Sequence, residues 1–571
     1  MLTLDKLPLT ILLYIIEYFP VGYIANENEI VKWRFGPDES CKSNAPETIA
    51  LAACNRSLRR LLLPVLFHDC HFGQAEPSDR YAKRLEALSR GSGELLACIR
   101  NLTVMAFTPK GIETANTCIA QMTSLETIGW YATHSVPPLF VQTLSNIPSF
   151  TSLVFHEFGV ESLPHILPLA GQITKLQVDT KRKAPCSKRV IGLAPITVGH
   201  PRRSRLPWDD RNIATIQEQR DAFFRGLPAF LLRARQHLQE LCIEGRGLTE
   251  KTAPSAFPWL QHLFDAMMDD NRQYPIFPSL ECLWLRRADV KALALKHLTK
   301  TCANHLRILE VASLDQTDLP ARQQPLPKLK EFCYLMQDGV RCAKFVQSFT
   351  QFSPLETLYL NGVAPSEVPE LFGRLFRCGD SLRQLRIQQG EVGEFFTLAH
   401  VRQLVAACPN LFALEFGACY GMEAVELLDA LKPLTKLRRF AFDHPWEKPR
   451  TSTFVEADGR TIRSRRNGDF RIISVIGTSI EHEVAKRIRW DIDAVRPTYR
   501  KRFGEFAKRM PDLQRVRWHC TEAVTWTWTF ERRFDTETGQ QTIVCRDVPD
   551  IPYGKATAGR QETRSGIYAL G

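Results

Sequence analysis

Leu355-Glu356-Thr357-Leu358-Tyr359-Leu360, Leu382-Arg383-Gln384-Leu385-Arg386-Ile387 and Leu411-Phe412-Ala413-Leu414-Glu415-Phe416 share one pattern: an apolar residue, two open positions, then two apolar residues separated by one. The final apolar pair stands two apart, so both members face one side of a short strand and the residue between them faces the other. Outward from these three segments the pattern recurs on both sides. On the N-terminal side it reads Leu102-Met105-Phe107, Leu125-Ile128-Trp130, Phe150-Leu153-Phe155, Ile173-Leu176-Val178, Leu238-Leu241-Ile243, Leu280-Leu283-Leu285, Leu306-Leu309-Val311 and Leu329-Phe332-Tyr334. On the C-terminal side it reads Leu437-Phe440-Phe442 and Leu513-Val516-Trp518. These thirteen copies are spaced mostly by 23 to 29 residues, and three longer intervals of 65, 42 and 76 residues mark insertions or undetected repeats. A fixed period of this size is the signature of a stacked-repeat architecture.

The linking segments carry helical spacing, as in Phe345-Val346-Phe349-Phe352, Val368-Leu371-Phe372-Leu375 and Val401-Leu404-Val405, so each unit reads as a strand followed by a helix. Ordinary strands of a doubly wound α/β domain would show varied spacing and a glycine-rich phosphate loop, and the chain has neither. The pattern resembles the leucine-rich-repeat family, and Cys302, Cys378 and Cys408, each just before a strand, are similar to its cysteine-containing subclass. The resemblance implies an α/β solenoid of parallel strands and outer helices over residues 73–520, with insertions near 180–212, 244–278 and 443–490. Stacked units bury their faces only against neighbours, so both ends need caps. At the C-terminus, alternation through Val524, Trp526, Trp528 and Phe530, then turn residues from Asp535 to Gly539, predicts a β-hairpin cap over 521–552. Residues 553–571 read as a flexible tail.

Ahead of the repeats, Leu4, Leu7, Ile11, Leu12 and Ile15 form a helical stripe opened by Pro8, and Thr48 to Phe67 forms a second apolar helical stretch. Leu7-Pro8-Leu9-Thr10-Ile11-Leu12, Leu51 to Arg60 and Leu63-Pro64-Val65-Leu66-Phe67 together look like an F-box of the kind found in fungal repeat proteins. That resemblance implies a small all-α F-box-like module over 1–72, with an insertion at 22–46 between its helices. It further implies docking onto a Skp-type adaptor within a cullin ubiquitin ligase through Leu7, Pro8, Ile11, Leu12 and Ile15. A helical cap on the first repeat would need the same amphipathicity, and that alternative stays open.

The chain has 571 residues, 44% hydrophobic and 24% charged, which excludes a disordered or collagen-like polypeptide. Its sixteen cysteines include no C-x-x-C pair, which fits reduced thiols in an intracellular, cytoplasmic or nuclear protein. Glu17 and Pro20 interrupt the apolar stretch from Leu7 to Ala25, so neither a signal peptide nor a membrane span is predicted. The sequons at Asn55 and Asn101 read as chance matches. Phosphate-loop, dinucleotide, zincin and nucleophile-elbow motifs are absent, so the sequence predicts a binding protein without catalytic residue, cofactor or metal, and not an enzyme. His68, Cys70 and His71 invite a metal reading, but alternate residues of a strand point apart and no fourth ligand is evident.

On the strand face opposite the core, the middle and following positions supply Trp284 and Arg286, Tyr359 and Asn361, Arg386 and Gln388, Glu415, and Arg517 with His519. Aromatic residues and arginines are the usual anchors of protein interfaces, so these are the expected contacts to a target protein. The net charge of +12 is concentrated in 181–211, 447–475 and 486–517, which together carry +17. Lys181 to Arg189 resembles a nuclear localisation patch, though a charged loop between repeats would look the same. The last basic segment reads as an amphipathic helix with Ile492, Val495, Tyr499, Phe503 and Phe506 inward. No nucleic-acid-binding module accompanies the charge, so nucleic acid is not an expected partner.

Overall fold

The computed structural model describes residues 54, 56–72, 90, 93–104, 109–130, 136–156, 165–179, 226–244, 265–268, 275–290, 302, 304–314, 326–335, 354–363, 370–371, 379–389, 396–416, 424–443, 454–455, 461–462, 500–521, 524–534, 541–550 and 567–570. The repeat pattern becomes strands because each apolar pair buries on one side of a ribbon while backbone groups pair with the next copy. The chain forms two compact units, Met1–Asp318 and Leu319–Gly571.

In the first unit eight parallel strands follow one another in chain order: β1 (Asp69–Phe72), β2 (Asn101–Val104), β3 (Thr127–Trp130), β4 (Ser152–His156), β5 (Lys175–Asp179), β6 (Glu240–Glu244), β7 (Cys282–Val290) and β8 (Ile308–Leu314). The apolar pairs align, with Ile128 beside Leu153, Leu153 beside Leu176, Leu176 beside Leu241 and Leu241 beside Leu283. Helices α1 (Arg56–Leu66), α2 (Gly93–Leu96), α3 (Pro109–Ile119) and α4 (Pro138–Ser145) come between or before the strands. Phe140 of α4 meets Trp130 edge-on at 5.7 Å, which places that helix on the core side of the ribbon. Thr143 donates to Asn116 Oδ1 at 2.9 Å, tying α4 to α3.

The second unit repeats the arrangement with β9 (Glu331–Leu335), β10 (Thr357–Val363), β11 (Gln384–Gln389), β12 (Ala413–Phe416), β13 (Arg439–Asp443) and, beyond the small β14 (Phe454–Val455) and β15 (Thr461–Ile462) ribbon, β16 (Arg515–Thr521). Helices α5 (Leu398–Ala407) and α6 (Ala424–Leu431) follow β11 and β12. Then the sheet turns antiparallel: β17 (Val524–Phe534) pairs with β16, β18 (Gln541–Asp550) with β17, and β19 (Ile567–Leu570) with β18. This is the expected hairpin at the end of an α/β solenoid. It gains a third strand from residues that the sequence placed in the tail.

The same hydrogen-bond device starts nearly every strand. Arg100 O accepts from both Glu126 N and Thr127 N at 2.8 and 2.9 Å, Glu126 O from Thr151 N and Ser152 N, and Arg438 O from Gln514 N and Arg515 N at 2.8 and 3.0 Å. Thr174 O accepts from Gln239 N and Glu240 N in the same way. Because β5 bonds directly to β6, β6 to β7 and β13 to β16, the three long intervals are insertions rather than undetected repeats.

One copy is corrected. Leu102 and Val104 stand beside Ile128 and Trp130, so the first unit of the pattern is Ile99-Leu102-Val104 and not Leu102-Met105-Phe107. Ile99, Leu102 and Val104 are all buried, and the shift of three residues restores an interval of 26 to Leu125. The ladder also begins earlier than expected. Cys70 and Phe72 align with Leu102 and Val104, so the segment placed at the end of the helical module is already a repeat strand.

Candidate protein-interaction surface

In the second unit, register brings three of the sequence-predicted target contacts into one row. Tyr359 on β10 neighbours Arg386 on β11, which neighbours Glu415 on β12. The Arg386 guanidinium lies over the Tyr359 ring at 4.5 Å, and its Nε is 2.8 Å from Glu415 Oε1. Asn361 and Gln388 hold neighbouring backbone positions one step further along the same strands, and Arg517 occupies the position beside Ala441.

The arrangement corrects the expectation that these anchors stand open. Arg386 is only 4% exposed and Trp284 only 7%. Strands lie about 4.8 Å apart, so long side chains on neighbouring strands cover one another, and Arg386 is held between the ring on one side and the carboxylate on the other. A buried ion pair of this kind fixes geometry more than it adds stability, because desolvating both charges offsets much of their attraction. Of the three residues, Tyr359 and Glu415 are half-buried and Arg386 is buried.

The corresponding row of the first unit is more thoroughly covered. Val154, Gln177, Cys242, Trp284 and Glu310 are 1, 6, 0, 7 and 2% exposed. Gln177 neighbours Val154 and Cys242, and Trp284 neighbours Cys242 and Glu310. Gln177 Oε1 and Ser152 Oγ are buried with no hydrogen-bond partner among the described residues. Alongside this row, Lys175 on β5 and Glu240 on β6 form an ion pair at 2.7 Å. Arg286 lies in register with Glu244. Glu310 and Gln177 were not picked out from the sequence, although their place midway between two core residues of a repeat was a usable signal.

Leu7, Pro8, Ile11, Leu12 and Ile15, the expected adaptor contacts, lie outside the described residues, as do the insertion at 22–46 and the basic segment 181–189. The second helix of that region is described from residue 54, and its Leu58 and Leu62, one turn apart, are buried. His68 Nδ1 lies 3.3 Å from Asn101 Nδ2, which ties the loop before β1 to β2. No group of three metal-ligating side chains occurs among the described residues. Burial pushes the Cys302 thiol up to about 12 and that of Cys118 up to about 11, so both stay protonated and serve as apolar packing. No helix among the described residues is long and apolar enough to cross a membrane.

No protein-family model and no curated protein matches the chain. Among solved structures, it is similar to one described as the crystal structure of the Rad7 and Elc1 complex in yeast, at 13% identity, with 72% of this chain and 85% of that chain covered and a TM-score of 0.34.

Proposed function

We propose that this protein is the substrate-recognition subunit of a Skp-cullin-F-box type ubiquitin ligase inside the cell. Its N-terminal helices bind the adaptor through Leu7, Pro8, Ile11, Leu12 and Ile15, and its strand ladder binds a target protein. It carries no active site or cofactor of its own. The ligase core performs the transfer, and the receptor contributes proximity by holding a lysine of the target near the reacting thioester.

The observation that carries the receptor half of this reading is the row Tyr359, Arg386 and Glu415, which sets an aromatic ring and a charge pair on the ladder away from the apolar pairs. The adaptor half rests on the likeness of residues 7–12 and 51–67 to an F-box.

Affinity purification of the full chain with mass spectrometry tests it. Wild type is expected to recover a Skp-type adaptor and a cullin, and Leu7→Asp with Ile11→Asp to lose both while keeping its circular dichroism spectrum. Recovery of target proteins from wild type without any adaptor would sink the ligase reading and leave a repeat scaffold whose N-terminal helices act as a cap.

A further inference from the structure

The three antiparallel strands that follow the last repeat are held by different means. β17 is anchored by side chains: Trp528 and Phe530 are buried, and Arg532 reaches the carbonyls of Ala507 and Met510 at the end of helix 500–509. β18 runs beside it over its whole length, from Gln541 against Phe534 to Asp550 against Thr525, and its Ile543, Val544 and Cys545 are buried. β19 pairs with β18 at four positions, Leu570 beside Ile543, Ala569 beside Val544, Tyr568 beside Cys545 and Ile567 beside Arg546.

The part of β18 that β19 covers is the part best able to pair. The last residues of β18, Arg546-Asp547-Val548-Pro549-Asp550, carry three charges and a proline, which has no N–H to offer a further strand. Thr542-Ile543-Val544-Cys545 carries neither charge nor proline and is rich in β-branched residues, so its outer N–H and C=O groups form a ready template for another strand. Residues 551–566 join β18 to β19, where a tight hairpin uses about two to five. Four paired residues make few ladder bonds, and these must offset the ordering of the strand and the closure of a long connection. The margin from pairing is therefore small, and an element held by a small margin opens while the rest of its domain stays folded.

We propose that the β18 edge at Ile543–Arg546 is a strand-addition site and that β19 is its releasable occupant, leaving and returning as a unit while β16, β17 and β18 stay folded. Recognition runs through the backbone ladder, and alternate side-chain positions set the sequence that fits. The places beside Ile543 and Cys545 lie on the face shared with Arg532 and Phe530, and those beside Val544 and Arg546 on the face shared with Glu531 and Thr529. Another extended segment adds to this edge only after β19 has left, so β19 sets the threshold for that pairing. The inference concerns strand pairing beyond the last repeat and stands apart from the ligase reading.

Fluorescence anisotropy with a labelled peptide of residues 564–571 tests it on the full chain and on Tyr568→Pro with Ala569→Pro. Successive residues of an antiparallel strand turn their N–H groups to opposite sides, so one of the two prolines removes a bond to β18 whatever the phase. The variant is expected to bind the peptide about tenfold or more tightly than wild type, in which tethered β19 competes at an effective concentration on the order of millimolar. A peptide bearing the same two prolines is expected to bind neither protein. Native-state hydrogen exchange of wild type gives a second reading. The amides of β18 that face β19 are expected to exchange through an opening that denaturant barely accelerates, whereas those of 526–532 follow global unfolding. Equal peptide affinity for the two proteins, no binding to the variant, or binding of the proline-bearing peptide would overturn the proposal. So would a shared denaturant dependence of the two sets of amides, or loss of the native circular dichroism spectrum in the variant, since β19 would then be an integral part of the fold.

Discussion

At the start of α5, Thr397 and His400 satisfy each other's backbone. Thr397 Oγ1 accepts from His400 N and His400 Nδ1 accepts from Thr397 N, both at 3.3 Å, a reciprocal cap with histidine in the place usually held by glutamate or glutamine. Only the neutral ring can accept at Nδ1, and burial holds the His400 ring below its ordinary value of 6.5. A group whose folded value is depressed contributes stability that is fully present above its unfolded value and lost as pH falls through the folded one. Acidification from neutrality to below the ordinary histidine range is therefore expected to cost wild type more stability than it costs His400→Gln, whose side-chain oxygen accepts at every pH. Equal losses in chemical denaturation of the two proteins at neutral and at acid pH would refute this role. The cap was hidden from the sequence because histidine three residues after a threonine is not a capping signal. The same limit hid the pairing of Arg386 with Glu415. They are 29 residues apart in the chain, and only strand register makes them neighbours.

Elements acquire their ends from one another. Helix 500–509 leaves its last carbonyls without intrahelical partners, and Arg532, on a strand two elements later, donates to Met510 O at 2.6 Å, Ala507 O at 3.2 Å and Leu513 O at 2.7 Å. Burial lowers the affinity of this guanidinium for its proton, opposed by nearby Asp512, but an arginine remains charged at any ordinary pH. Arg532→Ala is expected to destabilise the C-terminal cap by about 1–3 kcal/mol, because it leaves the helix end unsatisfied. Chemical denaturation followed by tryptophan fluorescence measures it, and an unchanged midpoint would mean that water replaces the guanidinium without loss. The helix itself was legible: Phe503 and Phe506 face inward as their spacing predicts, while Lys501 and Lys508 are exposed. Its partners were not. The aromatic run from Phe416 to Phe440 at 5.6 Å, Phe440 to Phe442 at 5.1 Å, Phe442 to Phe503 and Phe503 to Trp528 joins two repeat strands, the helix and the hairpin, and no local pattern announces it.

Across the whole molecule the repeats tolerate interruption because each strand needs only its neighbour's backbone. Thr174 O bonds to Gln239 N and Glu240 N across the longest gap of the first unit, as it would across an ordinary repeat. Deleting 183–220 shortens the interval between Ile173 and Leu238 from 65 to 27 residues, within the common spacing. Loop length affects closure entropy only logarithmically, so the deletion is expected to change the unfolding free energy by no more than about 1 kcal/mol. An insoluble product, or one that has lost its native circular dichroism, would show that the insertion is part of the fold. The sequence by itself determined the period, the core face of every repeat strand it identified after the first and the α/β solenoid class, since an apolar pair at fixed spacing has one way to bury itself when copies stack. It also determined that a hairpin follows the last repeat, because strict alternation broken by turn residues admits little else. Only the tertiary structure decided the phase of the first repeat, which of the open-face residues are buried, and which charges meet. Those depend on register between strands far apart in the chain, and lateral hydrogen bonding sets register at positions where side chains carry no repeating signal.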